Sequence, residues 1–125
     1  RVWVGGVMRI DKDLVASVAT PLVLAILAEG DSYGYAILQQ VRELSAGELE
    51  WSDGMLYPLL HRLELAGYVT SQWRTTPGGR RRKYYALTDH GRAALTEQHR
   101  QWSVVTRALD GAWRPLLAPG AGGQT

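Results

Sequence analysis

The sequence predicts a mainly α fold with one small β-hairpin, and three observations support this prediction. Residues 52–67 carry leucines at helical spacing between a residue that can cap a helix and a glycine that can end one. A strand, a turn and a second strand are indicated directly afterwards, over residues 69–87. A helical pattern with a seven-residue repeat then begins near residue 89. Together these elements predict a winged helix-turn-helix followed by a long C-terminal dimerisation helix.

The composition fits one domain, because the chain has 125 residues of which 46% are hydrophobic. The absence of cysteine excludes disulfides and thiolate metal sites. The sequence contains neither an apolar run of the ~18 residues that a membrane span needs nor a signal peptide, so we expect a cytoplasmic protein with no membrane partner. The net charge of +2 is small, which makes the distribution of charge along the chain more informative than its sum.

The first predicted helix covers Ile10 to Glu29, where apolar side chains recur at helical spacing. Asp11 and Asp13 lie near its start, where the positive end of the helix dipole favours acids. Pro21 lies inside the pattern, and its ring clashes with the preceding turn. We therefore expect the helix to kink there or to start again near Thr20.

The second predicted helix runs from Tyr33 to Leu44, with Ser32 as its N-cap. Gly34 near its start indicates close packing of two backbones rather than a ligand site. The linker at 45–51 alternates apolar and acidic residues, a pattern that could form a short strand at the edge of the hairpin sheet.

The third predicted helix is amphipathic, with its leucines facing a core, Ser52 as its N-cap and Gly67 at its end. The opposite face carries hydroxyl, methyl, imidazole and guanidinium groups, and it comprises Ser52, Met55, Tyr57, Pro58, His61 and Arg62. Such a face suits the groove of a nucleic acid. Taken alone, however, the segment fits an ordinary surface helix better.

A basic hairpin follows this helix, with predicted strands Val69–Trp73 and Lys83–Leu87 joined by turn residues 75–79. Its cations are Arg74, Arg80, Arg81, Arg82 and Lys83. Neither Asp nor Glu occurs between residues 65 and 88. In a winged helix-turn-helix the preceding helix enters the major groove, while the hairpin grips the backbone or the minor groove. The cations therefore predict a clamp on double-stranded DNA.

The last predicted helix runs from its cap at Thr88 to about Trp113, a rod of roughly 37 Å at 1.5 Å per residue. One seam of this helix repeats every seven residues and comprises Leu95, Gln98, Trp102, Val105, Leu109 and Ala112. Such a seam predicts pairing with the same helix of a second copy. A two-fold homodimer would read the two half-sites of a palindromic operator.

The predicted boundaries divide the chain into four parts. They are an N-terminal extension that need not be ordered at 1–9, a winged helix-turn-helix DNA-binding domain at 10–88, a C-terminal dimerisation helix at 89–114 and a flexible tail at 115–125. The tail is predicted because it contains glycine and proline and lacks apolar periodicity.

Two central segments, Ser52–Glu64 and Gly79–Thr88, together with Tyr33-Gly-Tyr35 upstream, resemble the PadR family of bacterial transcriptional regulators. The resemblance covers about Ile10 to Trp113. It implies a winged helix-turn-helix dimer that usually represses promoters and releases them when a small molecule binds. Met55 stands where the family usually has threonine, which puts that DNA contact in doubt.

Within the family, the chain resembles the small members with a single C-terminal helix, such as the lactococcal multidrug-sensing repressor. That resemblance implies a pore at the dimer centre in which Trp102, in the segment Arg100-Gln-Trp-Ser103, stacks on a planar hydrophobic effector. The implied ligand residues are Leu14, Ser17, Val18, Pro21, Gln98, His99, Trp102, Val105 and Thr106. Thr106 replaces an acidic residue of the multidrug member, so the site should select less strongly for cations. The alternative is that Trp102 simply fills the dimer core.

Two other classes of function were weighed. A winged-helix module that binds protein without specific DNA binding would be favoured if acids such as Glu48 and Glu50 masked the wing. An enzyme is not predicted, because His61, His90 and His99 have no ligand spacing with carboxylates and no Gly-rich phosphate loop follows a strand. We accordingly expect neither a cofactor nor a metal site.

Overall fold

The computed structural model describes residues 3–4, 7–8 and 10–117. Its elements in chain order are β1 (Trp3–Val4), β2 (Val7–Met8), α1 (Lys12–Ala28), β3 (Ser32–Tyr33), α2 (Gly34–Leu44), α3 (Asp53–Leu65), β4 (Val69–Thr75), β5 (Arg81–Leu87) and α4 (Asp89–Leu117). The predicted mainly α fold with a small β-hairpin is confirmed. The remaining residues of the predicted extension at 1–9, and the predicted tail from 118 onward, lie outside the described residues.

The chain divides into two compact units at Leu95 and Thr96, and each unit is considered by itself. In the first unit, three helices and a small sheet enclose one apolar core. The side chains fully removed from solvent there are Val23, Leu24, Ile37, Val41, Leu56, Leu60 and Val69. None of the described helices is long and apolar enough to span a bilayer.

Helix α1 begins after Asp11, whose carboxylate accepts a hydrogen bond of 2.8 Å from the Asp13 N–H. The helix continues through Pro21 without interruption, so the new start expected near Thr20 is wrong. Pro21 deprives the helix of one backbone donor. The next turn is nevertheless held in place, because Val23 and Leu24 are fully buried in the core.

The second helix does not begin as predicted. Ser32 and Tyr33 form β3, which pairs antiparallel with β5 through Ser32 opposite Tyr85 and Tyr33 opposite Tyr84. Tyr33 is the N-cap residue of α2, and no side chain caps this helix. The N-cap predicted at Ser32 is therefore wrong, because pairing with the sheet fixes this residue in an extended conformation.

The third strand of the sheet is thus β3, and the sheet order is β3-β5-β4. The strand expected within 45–51 does not form. The Ser45 hydroxyl donates to the Val41 carbonyl and accepts from the Leu49 N–H, at 2.9 Å each, which turns the chain at this point. Trp51 then packs into the core, where only 6% of its surface is exposed.

Helix α3 has both predicted end signals. The Ser52 hydroxyl accepts from the Met55 N–H at 3.3 Å. At the other end Gly67 has a φ of 82°, and the Tyr68 N–H returns to the Leu63 carbonyl at 2.9 Å. The leucine stripe predicted to face the core is confirmed, since Leu56, Leu59, Leu60 and Leu63 are at most 4% exposed.

Strands β4 and β5 form the predicted hairpin, with Val69 opposite Leu87 at one end and Thr75 opposite Arg81 at the other. We call the segment 69–87 the wing. Each strand extends two residues further toward the tip than predicted, because Thr76 and Arg80 close the turn with a backbone hydrogen bond of 2.7 Å. Gly79 supplies the positive φ of 85° that this turn requires.

Helix α4 starts at a junction with the end of α3. The Thr88 hydroxyl donates to the Gly67 carbonyl at 2.6 Å and accepts from the Gly91 N–H at 2.9 Å, so the predicted cap is confirmed. The helix ends at Leu117, beyond the end predicted at 114, with Pro115 inside it. A proline there removes only one hydrogen bond of the last turn, which is why it does not end the helix earlier.

Candidate nucleic-acid interface

Helix α3 presents an exposed polar face opposite its buried leucines. Tyr57, Pro58, His61 and Arg62 are all exposed on that face, as the sequence predicts. The other two predicted residues also serve the fold. The Ser52 hydroxyl caps the helix, and Met55 is half-buried against the core. Met55 is thus the least exposed of the six predicted residues.

Tyr57 also reaches the start of α2. A Cβ atom built on Gly34 would overlap the Tyr57 hydroxyl, so only glycine leaves room for this ring. Gly34 thus accommodates a side chain from the neighbouring helix and not a second backbone, which corrects the expectation from sequence. The contact fixes the exposed face of α3 relative to the first turn of α2.

The wing has two faces that carry different cations, because strand side chains alternate. Arg81 and Lys83 lie on the same face as the buried Tyr85. Arg74 and Arg82 are cross-strand partners and lie on the other face. From sequence these cations were expected to form one clamp, whereas the register of the hairpin places them on two faces.

Each of the four wing cations at strand positions lies over an aromatic ring. The distances from the charged group to the ring centre are 4.6 Å for Arg74 over Tyr84, 5.2 Å for Arg81 over Trp73, 4.3 Å for Arg82 over Tyr33 and 5.8 Å for Lys83 over Tyr85. The negative face of an aromatic ring attracts a cation and limits its rotamers. These aromatic partners were not predicted from sequence, although Trp73 adjoins Arg74 and Tyr84 follows Lys83.

A cleft of about 700 Å³ lies between the wing and the segment where β3 leads into α2, and Tyr57 contributes to it from α3. It is lined by Tyr33, Gly34, Tyr35, Tyr57, Trp73, Arg80, Arg81, Arg82, Lys83 and Tyr85. The lining contains aromatic rings, hydroxyl groups and cations but no carboxylate. This chemistry suits a phosphate group attached to a sugar or a flat ring. Burial, with smaller contributions from Glu64 and Tyr57, raises the pKa of Tyr85, so its hydroxyl stays neutral.

One wing cation is paired with an acid. The Arg74 guanidinium donates to the Asp31 carboxylate, with 2.7 Å between Nη2 and Oδ2. The acid that neutralises Arg74 thus comes from outside the acid-free stretch between residues 65 and 88. Asp31 is 43 residues away in sequence and reaches the wing through β3, so a local count of charges does not find it. Glu50 was considered above as an acid that could mask the wing, but its carboxylate lies 3.8 Å from the Arg42 guanidinium.

The predicted ligand residues of the first unit lie along one stripe of α1. Leu14 and Ser17 are exposed, and Val18 and Pro21 are half-buried. The Ser17 hydroxyl donates to the Leu14 carbonyl at 2.8 Å, so this hydroxyl is engaged within its own helix.

The predicted ligand residues of the second unit lie along one stripe of α4, and they are Gln98, His99, Trp102, Val105 and Thr106. The Thr106 hydroxyl donates to the Trp102 carbonyl at 2.8 Å. Beyond Trp102 the same stripe continues through Leu109, Trp113 and Leu116, whose exposed fractions rise from 38% to 79%. Apolar side chains thus remain exposed along the whole C-terminal part of this helix.

Among the residues described, no group of three or more His, Cys, Asp or Glu side chains is placed to hold a metal ion.

Comparisons with known proteins agree with this geometry. The pattern described as the Transcriptional regulator PadR-like family matches residues 23–97. A transcriptional regulator of Mycobacterium tuberculosis is 39% identical over 89 residues, which cover 71% of this chain and 79% of the relative.

Solved structures are similar as well. A transcriptional regulator from Clostridium thermocellum superposes with a TM-score of 0.74 at 27% identity, covering 82% of this chain and 96% of that one. A PadR family transcriptional regulator from Eggerthella lenta superposes with a TM-score of 0.68 at 33% identity, covering 85% of this chain and 88% of that one.

Proposed function

We propose that this chain, which belongs to the PadR-like family of transcriptional regulators, binds operator DNA as a homodimer and represses the promoters that it occupies. The observation that carries this proposal is the cleft beside Tyr57 of α3, between the wing and the start of α2, whose lining holds Arg80, Arg81, Arg82 and Lys83 and no acid. Duplex DNA is the ligand that offers a groove for a helix and phosphates for the adjoining cations.

Helix α3 and the wing would divide the work. His61 and Arg62 are exposed on α3 and carry groups that hydrogen-bond to base edges in the major groove. The wing cations that line the cleft, Arg80 to Lys83, would bind phosphates, which adds affinity for any sequence and makes that affinity depend on salt. Tyr57 would position α3, since its ring packs against the start of α2.

The exposed apolar stripe of α4 supports the dimer. Val105, Leu109, Trp113 and Leu116 are 38% to 79% exposed in the single chain; Val105 and Leu109 lie on the seam with the seven-residue repeat, and Trp113 and Leu116 continue the apolar stripe. Covering such a stripe with its own copy removes apolar surface from water and creates a two-fold axis. Two reading helices related by that axis would meet two inverted half-sites.

Selection of bound duplexes from a random pool tests the proposal. We expect an inverted repeat whose half-sites are centred about 10 base pairs apart, or a multiple of that distance. The double variant His61→Ala and Arg62→Ala serves as the control, because it removes reading groups while leaving the wing intact. It should enrich duplexes weakly and without a consensus. If the parent protein enriches no sequence above the starting pool, specific DNA binding is refuted.

The effector is proposed from the resemblance together with the chemistry of α4. An indole on each side of a two-fold axis offers flat apolar surface, which planar aromatic molecules bind by stacking. We propose that such a molecule binds near Trp102 and releases the operator by shifting the dimer between two geometries. Thr106 carries no charge, so neutral and cationic planar ligands should bind comparably.

Fluorescence with an uncharged and a cationic acridine tests this site. The chain contains 5 tryptophans, so the parent must be compared with the variant Trp102→Phe. We expect quenching in the parent by both dyes and its loss in the variant. Equal quenching in both proteins would show that the dyes bind elsewhere.

A second candidate is a winged-helix module that binds protein without specific DNA binding. The pairing of Asp31 with Arg74 favours it, because this pair reduces the positive charge of the wing. The same duplex selection decides between the two candidates, since the module should show no sequence preference.

A further inference from the structure

Unlike the other wing cations, Arg74 reaches with its side chain from one edge of the sheet to the other. The sheet order is β3-β5-β4, so β3 and β4 lie at opposite edges. Arg74 belongs to β4, and Asp31 immediately precedes β3. To reach Asp31 at 2.7 Å, the Arg74 side chain crosses the middle strand, where its guanidinium lies 4.6 Å from the centre of the Tyr84 ring.

Three further contacts reinforce this crossing. Tyr84 meets Tyr33 edge-on with ring centres 5.2 Å apart, Arg82 lies 4.3 Å from the centre of the Tyr33 ring, and the Gln72 side chain lies 3.5 Å from the Arg74 guanidinium. Gln72, Arg74, Arg82 and Tyr84 lie on the face of the wing opposite Tyr85, and Tyr33 lies beside Tyr84 on β3. We call the set Asp31, Tyr33, Arg74 and Tyr84 the strap.

The strap matters because β3 is short and the residue that follows it lines the cleft. Only the pairs Ser32 with Tyr85 and Tyr33 with Tyr84 join β3 to β5. Gly34, the next residue, begins α2 and lines the cleft. Any loosening between β3 and the wing would change the width of the cleft that receives DNA.

We propose that Arg74 is a positioning residue, which holds the wing against the start of α2 through Asp31 and does not itself bind phosphate. This inference rests on the proposed DNA binding. An arginine already paired with a carboxylate has less to gain from a phosphate, since it must first give up the existing ion pair. Arg81, by contrast, lies on the face of the wing that carries Tyr85 and lines the cleft, where a phosphate can approach it.

The test compares operator affinity over a range of salt concentrations for the parent and three variants. Arg81→Met removes a proposed phosphate contact, so it should reduce the slope of log K against log salt by about 0.9. Arg74→Met should weaken binding by about threefold to tenfold at every salt concentration and leave the slope unchanged. Each variant loses one positive charge, which makes Arg81→Met the matched control for Arg74→Met.

Asp31→Asn gives the sharpest result, because the two roles of Arg74 predict opposite signs. If Arg74 positions the wing, removing the charge of Asp31 loosens the strap and weakens operator binding. If Arg74 binds phosphate, the same change frees the arginine and removes a repulsive charge near DNA, so binding tightens. Tighter binding by Asp31→Asn, or a reduced salt slope in Arg74→Met, overturns the inference.

Amide hydrogen exchange without DNA supplies a second readout. We expect faster exchange in β3 for Arg74→Met and Asp31→Asn, and none of this acceleration for Arg81→Met. Unchanged exchange in all three variants would overturn the strap. If the parent bound no duplex at any salt concentration, both the proposed function and the positioning role would fail. If only the positioning role is wrong, the parent still binds its operator.

Discussion

At the scale of single residues, Gly91 shows how closely α4 approaches the end of α3. A Cβ atom at this position would collide with the backbone carbonyl of Tyr68 and with the Leu87 side chain. The carbonyl has little freedom to move, because it accepts the Thr88 N–H at 3.0 Å. Any side chain at residue 91 therefore has to force the junction apart.

We predict that Gly91→Ala lowers the free energy of unfolding by about 2 to 3 kcal/mol, the usual cost of overpacking a rigid site. Urea denaturation measures this change. Gly111→Ala is the matched control, since Gly111 lies in the same helix with open space where its Cβ would stand. It should stabilise the helix by about 0.5 to 1 kcal/mol. Equal effects of the two substitutions would contradict the close approach.

Residue contacts were predictable where the signal is local. Ser52 and Gly67 mark the two ends of α3, because each acts on backbone groups within a few residues, and both assignments are confirmed. The pairing of Arg74 with Asp31 was not predictable, because it depends on strand order between residues 43 positions apart. The division of the wing cations between two faces likewise required the register of the hairpin.

At the scale of elements, the two serines that precede helices behave differently although the sequence assigns both the same role. Ser52 caps α3 through its hydroxyl, whereas Ser32 enters the sheet and leaves α2 without a side-chain cap. A capping residue and an extended strand residue have similar backbone conformations. Local sequence therefore cannot separate them, and the availability of β5 as a strand partner decides.

We predict that Ser52→Ala lowers the free energy of unfolding by about 1 kcal/mol, because the Met55 N–H loses its acceptor. Ser32→Ala should cost less, since the backbone pairing of β3 survives the substitution. Thermal unfolding of both variants under identical conditions makes the comparison. A larger loss for Ser32→Ala would mean that its hydroxyl stabilises α2 after all.

Prolines were the least predictable feature of the helices. Pro21 was expected to kink the first helix or to start it again near Thr20, and Pro115 was expected to follow the last helix, yet α1 and α4 contain them without interruption. The cost of a proline is a lost hydrogen bond and a local clash, and burial of the following turn can outweigh it. In α1, the fully buried Val23 and Leu24 provide that burial. Periodicity alone does not reveal how strongly a turn is held.

At the scale of the whole molecule, the small net charge conceals a strong local concentration. The chain carries 14 Lys and Arg against 12 Asp and Glu, yet the cleft beside α3 is lined by cations and no acids. The fold class followed from sequence because helical and strand periods are local properties. Which surfaces of two copies meet is not a local property, and it has to be tested on the assembly.

The exposed stripe of α4 leads to the last prediction. We expect the parent to be a dimer by light scattering and Leu109→Glu to be a monomer, because a charge would be buried within the apolar seam. The matched control is Gly111→Glu, which adds the same charge to α4 away from that seam and should remain dimeric. Operator affinity should follow the oligomeric state. A monomer binds each half-site independently and loses the gain of linked binding, about a hundredfold or more. If Leu109→Glu remained a dimer with full affinity, the seam would lie elsewhere, and neither the two-fold reading of DNA nor the effector site at Trp102 could stand as proposed.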